Sequence, residues 1–488
     1  MKYQSHRIPF RKGAGIQFWP RKVWHCTYLF CVVYISALPT PATAALDESK
    51  LKELGISDTR LTPMGAIRSG NEDGTIPIWE GGIKTPPDGY AKGDFYIDPF
   101  GADEKLFTIS SANYKQYGSK LSPGQRRMFE RYPDTYVMHV YPSRRSASYP
   151  NRIYEGTIAS AGSVTICSNN ERCLDGTLPG GGIPFPIPSG GLEAMWNHSL
   201  YYYGDHYEWT GTAFNVTDEG KYVATTLIDR FIYNYYLPKS KQLTDPFFTK
   251  DGGALFCRSE EILSPPKSAG QIFGGCNYRT NTAFDAYIYI PGQRRVRRAP
   301  EIGFYDQPGT GTDGLRTTDA RTMFGMTGEQ EWYDYSLLGR TEMYVPYNSY
   351  KLASPEYHLS DIVRPGHINP ELVRYELHRV WVVEATLRNN FRHVIPRRTV
   401  YLDEDSWAGT HTDMYDAEGD LWRYAEAFLM NFYDVPMVSW WGDAHYDFPS
   451  GRYNAVAAWF NETRPPQFDV MPNPELMTPQ GLRKFGVR

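Results

Sequence analysis

Charge imbalance, long apolar runs and cysteine are all scarce in this 488-residue sequence. Its 51 Lys and Arg nearly cancel its 55 Asp and Glu, leaving a net of −4, which argues against a protein built mainly to grip nucleic acid. Beyond the N-terminus no apolar run approaches the roughly 20 residues that span a bilayer, so a polytopic membrane protein is excluded. The motifs G-x-S-x-G, H-E-x-x-H, G-x-x-x-x-G-K-[ST] and a strand-linked G-x-G-x-x-G are all missing, which removes the mechanisms that rest on them and no others. Aromatic residues, by contrast, are plentiful. With 24 Phe, 12 Trp and 37 Tyr the chain can bury a real core, and intrinsic disorder is excluded.

The first 44 residues stand apart. Lys2, Arg7, Arg11, Lys12, Arg21 and Lys22 form a basic region without acids, followed by an apolar run from Val23 to Leu38 and the small triplet Ala42-Thr43-Ala44. This pattern predicts a secretory signal peptide over residues 1–44, cleaved after Ala44. As a helix the run reaches only about 24 Å, against a hydrocarbon core of about 30 Å. A retained membrane anchor is the alternative. No Arg-Arg pair precedes the run, which points to the general secretory route into the periplasm. Removing the segment leaves 45 basic against 55 acidic residues, a net of −10.

Four of the six cysteines then remain: Cys167, Cys173, Cys257 and Cys276. On the oxidising side of a membrane they are candidates for two disulfides, with three possible pairings. The local pairing, Cys167–Cys173 and Cys257–Cys276, is favoured because each pair brackets a turn-rich segment. A zinc site is disfavoured, since neither spacing is C-x-x-C and no His lies close by.

Along the mature chain, residues 45–110 read as an irregular arm rich in Gly and Pro, held in place by Ile76, Ile78, Trp79, Tyr90, Phe95 and Tyr96. Ser122-Pro123-Gly124-Gln125 offers an N-cap, a proline at the first helical position and a capping box, with the helix ending near Pro133. Strands are expected at Tyr136–Tyr141, Tyr154–Ala159, His206–Val216, Lys221–Asp229, Glu376–Thr386 and Arg398–Asp403. Leu192–Tyr202 reads as a helix. Two hairpins follow from their turns: Phe284–Ile290 with Arg295–Arg298 about Pro291-Gly292, where Gly292 can take positive φ, and His411–Asp416 with Asp420–Phe428 about Ala417-Glu418-Gly419. Residues 111–463 are thus expected to form a single large β domain. The proline-rich residues 464–488 are expected to form an extended, surface-lying tail.

No spacing guarantees a site. His206, His411 and His445 each sit near acids, but solvated histidines beside surface acids are the expectation. Asp403-Glu404-Asp405 reads as a charged strand end, with a Ca²⁺ or glycosidase role as the functional alternative. The basic cluster Arg294, Arg295, Arg297 and Arg298 splits on a strand: Arg295 and Arg297 face one way, Arg294 and Arg298 the other. Nucleic acid is therefore not expected as a partner, and a headgroup or phosphate could use at most half of it. Pairing with nearby acids on an exposed hairpin is the plainer expectation. Trp440-Trp441 likewise splits across two faces if extended.

A family resemblance enters at three places. Tyr287-Ile288-Tyr289-Ile290-Pro291-Gly292-Gln293-Arg294-Arg295-Val296-Arg297-Arg298 and Tyr415-Asp416-Ala417-Glu418-Gly419-Asp420-Leu421-Trp422-Arg423 resemble hairpins of outer-membrane lipoprotein-sorting-like proteins. Leu61-Thr62-Pro63-Met64-Gly65, with the run from Gly70 to Gly82, resembles the family called domain of unknown function 1329, and this likeness spans almost the whole mature chain. The resemblance implies an α+β, mostly β fold: a large curved antiparallel sheet, an unclosed half-barrel, whose concave apolar face shelters acyl chains under a few helices. It implies no catalytic residue, metal or cofactor. The leading expectation is a periplasmic, non-catalytic carrier of a lipid or other hydrophobic small molecule, with an inner-membrane transporter as a possible partner. The alternatives are a periplasmic polysaccharide hydrolase using a carboxylate pair, and a cavity-less structural partner of an envelope transporter.

Overall fold

The strand-rich pattern is met by a fifteen-stranded sheet that does not close into a barrel. The computed structural model describes residues 48–176, 181–299, 311–317, 330–457 and 465–485, which fall in one unit running from Ala45 to Arg488. The expected signal segment lies outside the described residues.

The arm carries only a helical turn, α1 (Glu48–Leu51), before the short strand β1 (Phe107–Ile109), helix α2 (Pro123–Arg131) and strand β2 (Met138–Val140). Helix α3 (Asn151–Ser160), the ribbon β3 (Val164–Cys167) and β4 (Asn170–Gly176), and helix α4 (Gly191–Ser199) follow. A first meander comprises β5 (His206–Val216), β6 (Tyr222–Ile232), the turn α5 (Pro246–Thr249), β7 (Ala254–Ser264), β8 (Ile272–Tyr278), β9 (Asn281–Ile290) and β10 (Arg295–Arg298). After β11 (Tyr333–Pro346), the turn α6 (Leu359–Ile362) and the ribbon β12 (Val363–Arg364) and β13 (His367–Ile368) comes a second meander. It runs β14 (Tyr375–Leu387), β15 (Arg397–Asp403), β16 (Gly409–Tyr415), β17 (Leu421–Phe432), β18 (Met437–Asp447) and β19 (Tyr453–Ala457), and helix α7 (Pro479–Phe485) ends the described chain. The spatial order is β1-β2-β14-β15-β16-β17-β18-β19-β5-β6-β7-β8-β9-β10, with β11 also on β14. All pairs are antiparallel except the single parallel contact Tyr375–Val140, which makes the sheet mixed.

Helix α2 follows its sequence signal closely. Ser122 Oγ accepts from Gln125 N and Gln125 Oε1 accepts from Ser122 N, a complete capping box. The segment Tyr154–Ala159, expected as a strand, is instead the body of α3. Its buried residues Ile153, Gly156, Thr157 and Ser160 recur at helical spacing, and Thr157 and Ser160 return their hydroxyls to carbonyls four residues back. The aromatic and β-branched composition suggested a strand; packing of one helical stripe decided otherwise. In the β9–β10 turn, Arg294 rather than Gly292 takes the left-handed conformation, at φ 49°. The C-terminal segment is not simply extended. Its 3₁₀ turn Pro474–Met477 and α7 bury Met477 and Leu482 completely.

Register fixes the faces, because directly opposed residues point the same way. One face holds the opposed pairs His411–Glu426 and Asp413–Tyr424, with Tyr446 across from Tyr424. Helix α2 seats here at Gly124, where an added Cβ would stand 2.3 Å from both Asp413 Oδ1 and Tyr424 Cδ2. At the far end of the same face α7 closes over Ile272, Tyr289 and Val296 with Leu482. The sheet curls between these ends: Ser349, just past β11, donates its N–H to Leu429 O of β17 at 3.1 Å, and Tyr350 Oη donates to Asn431 O at 2.6 Å.

Candidate functional site

The curled end under α2 is filled, and filled with polar groups. Glu426 is buried and accepts from Tyr446 (2.9 Å), Tyr375 (3.0 Å) and Tyr424 (3.3 Å). Burial pushes its carboxyl up to about 7, against the three hydroxyl donors that favour the charge. Asp413 is equally enclosed and also raised to about 7 by burial; Ser122 Oγ (3.0 Å), Gly124 N (2.9 Å) and Tyr401 Oη (3.2 Å) donate to it. His411, stacked on Tyr401 with centroids 4.1 Å apart, is driven down to about 3 by burial. These are the acids that a hydrolase would need, yet each is consumed by helix capping or tyrosine hydroxyls beneath α2. The concave face that the resemblance implied as an acyl shelter is here a packed, tyrosine-rich core.

A second polar cluster ties the arm to the sheet. His378 Nε2 donates to Glu376 at 3.0 Å and its Nδ1 stands 3.6 Å from Asp403 Oδ1. Burial alone would lower its pKa, but Asp403 and Glu376 outweigh that and raise it to about 9, so it is an imidazolium at neutral pH. Tyr347 stacks on its ring at 4.0 Å and donates to Asp403 Oδ2 at 3.1 Å. Arg145 grips Asp405 with two bonds, at 2.9 and 2.6 Å, and spends its remaining donors on carbonyls of the arm, including Ile67 and Arg68. Glu404 takes Arg340 at 2.9 Å and Arg379 at 3.6 Å. His378, Asp403 and Asp405 offer ligand atoms within 4.8 Å of one another, the spacing of a metal site. Arg145 already holds both Asp405 oxygens, at 2.9 and 2.6 Å, so in this structure the set is tied into an ion-pair lattice. The run Asp403-Glu404-Asp405, expected as a charged strand end, is buried.

The expected solvated histidines are corrected too. His411 and His445 are buried, and His445 Nε2 is bonded to Asp443 at 2.8 Å; only His206 is half-buried. Both disulfides form in the favoured local pairing. Cys167–Cys173 closes the β3–β4 ribbon, and Cys257–Cys276 joins directly opposed residues of β7 and β8.

Accessible apolar surface lies on the opposite face, along the first meander. Register places Trp209, Asp229, Glu260, Phe273, Ile288 and Arg297 in one row across β5 to β10. Beside it a ladder of rings crosses the strands: Tyr207 on Phe231 at 5.2 Å, Phe231 on Phe256 at 5.2 Å, and Phe256 on Phe284 at 6.2 Å. Asp229 is neutralised by Arg258 through bonds of 2.7 and 2.9 Å and accepts from Trp209 Nε1 at 2.6 Å. Phe256, Phe273, Phe284, Ile288 and Ile290 stay half-buried, whereas β16 and β18 are buried on both faces throughout. At the head of the row Tyr207, Trp209, Trp440, Met437 and Phe468 line a cavity of about 30 Å³. That holds about two water molecules or the end of an alkyl chain. Its roof is the segment carrying Phe468, joined to β5 by the reciprocal backbone bonds of Gln467 and Glu208, at 2.8 and 3.0 Å. The sequence offered Trp440 only as one half of a pair expected to split across the sheet. It gave no sign of Phe468, which sits in a proline-rich stretch otherwise read as tail.

The profile of the family described as "Protein of unknown function (DUF1329)" matches residues 108–483. The chain belongs to this family. A relative, the uncharacterized protein PA3922 of Pseudomonas aeruginosa, is 38% identical over 461 residues, covering 94% of this chain and 98% of the relative. Among solved structures, a DUF1329 family protein from Desulfovibrio piger is similar at 12% identity and a TM-score of 0.38, over 59% of this chain and 95% of that one. A putative outer membrane lipoprotein-sorting protein domain from Vibrio parahaemolyticus is similar at 13% identity and a TM-score of 0.39, over 60% of this chain and 98% of that domain.

Proposed function

We propose that this DUF1329 protein is an exported, non-catalytic carrier that holds a lipid or other hydrophobic molecule against the first meander during transport across the envelope. One observation carries the reading. Phe256, Phe273, Ile288 and Ile290 remain half-open on a sheet whose central strands are buried on both faces, and they lead from an aromatic cleft. Covering that surface with a ligand is worth about 25 cal/mol per Å² of apolar area removed from water. An inner-membrane transporter is the expected donor or acceptor. Two disulfides support residence in an oxidising compartment.

Protein purified gently from its own host is expected to carry a hydrophobic molecule in near-stoichiometric amount, seen by native mass spectrometry and identified by extraction. A preparation free of any such molecule, which also binds none when offered after delipidation, would overturn the carrier reading. The intact mass of the exported protein is expected to begin at Ala45 and to show no free thiol. A membrane-bound form that begins at Met1 would establish the retained anchor instead.

A further inference from the structure

We infer that the ligand is a long-chain amphiphile with an anionic head, and that Arg295 and Arg297 of β10 receive the head while the chain lies across β9 and β8 toward the aromatic cleft. The inference rests on the carrier reading and names its ligand class and orientation. It starts from the split of the basic cluster. Arg298 points to the α7 side, where Asp285 takes it at 3.1 Å, while Val296 packs against the cluster around Leu482. Arg295 and Arg297 point to the opposite side. Both are exposed, stand directly across from the half-buried Ile290 and Ile288, and have no ion-pair partner among the described residues.

Two uncompensated cations at the last strand of the sheet thus border an aliphatic and aromatic floor on the same face. The dimensions agree. From Trp209 on β5 to Arg297 on β10 there are five strand spacings of about 4.8 Å, or about 24 Å, the reach of a long acyl chain. A guanidinium pair matches a carboxylate or phosphate in geometry as well as sign, whereas a neutral head would leave both cations unanswered. At the middle of the row Arg258 holds Asp229 and Glu260, each at 2.7 Å, so both carboxylates are ion-paired although one negative charge is left over.

The mature protein is titrated with sodium oleate and, separately, with methyl oleate, each followed by tryptophan fluorescence. Oleate is expected to bind about tenfold more tightly or better. In Arg295→Gln/Arg297→Gln that advantage is expected to vanish while methyl oleate binding is unchanged. Ile288→Asp is expected to weaken both ligands, and thermal melting of each variant checks that the fold persists. Equal binding of the two ligands by the unaltered protein, or an oleate affinity unmoved by the double substitution, overturns the inference and leaves the carrier reading standing. Binding of neither ligand counts against the carrier reading itself. Binding to phosphatidylglycerol vesicles without binding to monomeric oleate overturns the inference in favour of a membrane-docking surface.

Discussion

Replacing Arg145 with methionine is expected to destabilise the protein by about 3–5 kcal/mol, the cost of leaving one member of a buried ion pair without its partner. Both side chains are almost wholly enclosed, Arg145 at 3% and Asp405 at 4% exposure. The guanidinium beside it holds the Asp405 carboxyl below its ordinary range, against the effect of burial. With Arg145 gone, Asp405 must either stay charged without compensation or take up a proton. The carbonyls of Ile67 and Arg68 also lose their donor. Chemical denaturation at neutral pH measures the loss, and limited proteolysis should show new cleavage within residues 48–106. Arg145→Met/Asp405→Asn is expected to recover much of the stability, since the charge is then removed along with its partner. A single variant within 1 kcal/mol of the parent would mean that the pair is not the anchor proposed here.

The second large effect depends on pH. Glu426 is held at about 7 when folded, against about 4.3 in an unfolded chain. Between those values the folded protein keeps a proton that the unfolded chain has released, so the contribution of Glu426 to stability falls as pH rises across this window and levels off above 7. The shift corresponds to about 3–4 kcal/mol. Glu426→Gln cannot titrate. The variant is therefore expected to gain that amount relative to the parent between pH 4 and pH 7.5, whatever constant offset the amide introduces among Tyr375, Tyr424 and Tyr446. Comparing the two proteins at each pH matters, because other groups titrate alongside. His411, lowered to about 3, gives a contribution that rises with pH up to about 6.5, and His378, raised to about 9, gives one that is lost between about 6.5 and 9. A difference in unfolding free energy that stays flat from pH 4 to 7.5 would refute the assignment.

Much of the architecture was legible because its signals are local. Strand β5 coincides with the expected His206–Val216, and the α2 capping box is written in four consecutive residues. Both disulfides bridge short separations, 6 and 19 residues. What was not legible depends on partners far away in the chain. Asp405 is buried because Arg145, 260 residues earlier, reaches it, and Asp413 because Ser122 and Gly124 bring α2 onto it across about 290 positions. No periodicity distinguishes such a carboxylate from a solvated one. The open meander was half legible: the opposite facing of Arg295 and Arg298 follows from strand geometry alone, but the aliphatic floor beside Arg295 appears only once β10 is paired in register with β9.

The order of strands also has a consequence for how the protein comes into being. The first meander, β5 to β10, and the second, β14 to β18, are each built from neighbours in sequence, and among the described residues the sheet joins them through β19, which pairs Tyr453 with both Tyr446 and Val216. Each half can assemble early from local contacts, but the pairing of β19 with β5 spans more than two hundred residues and must wait until every strand between them has been made. Completion of the sheet is thereby a non-local step that follows the folding of its two halves.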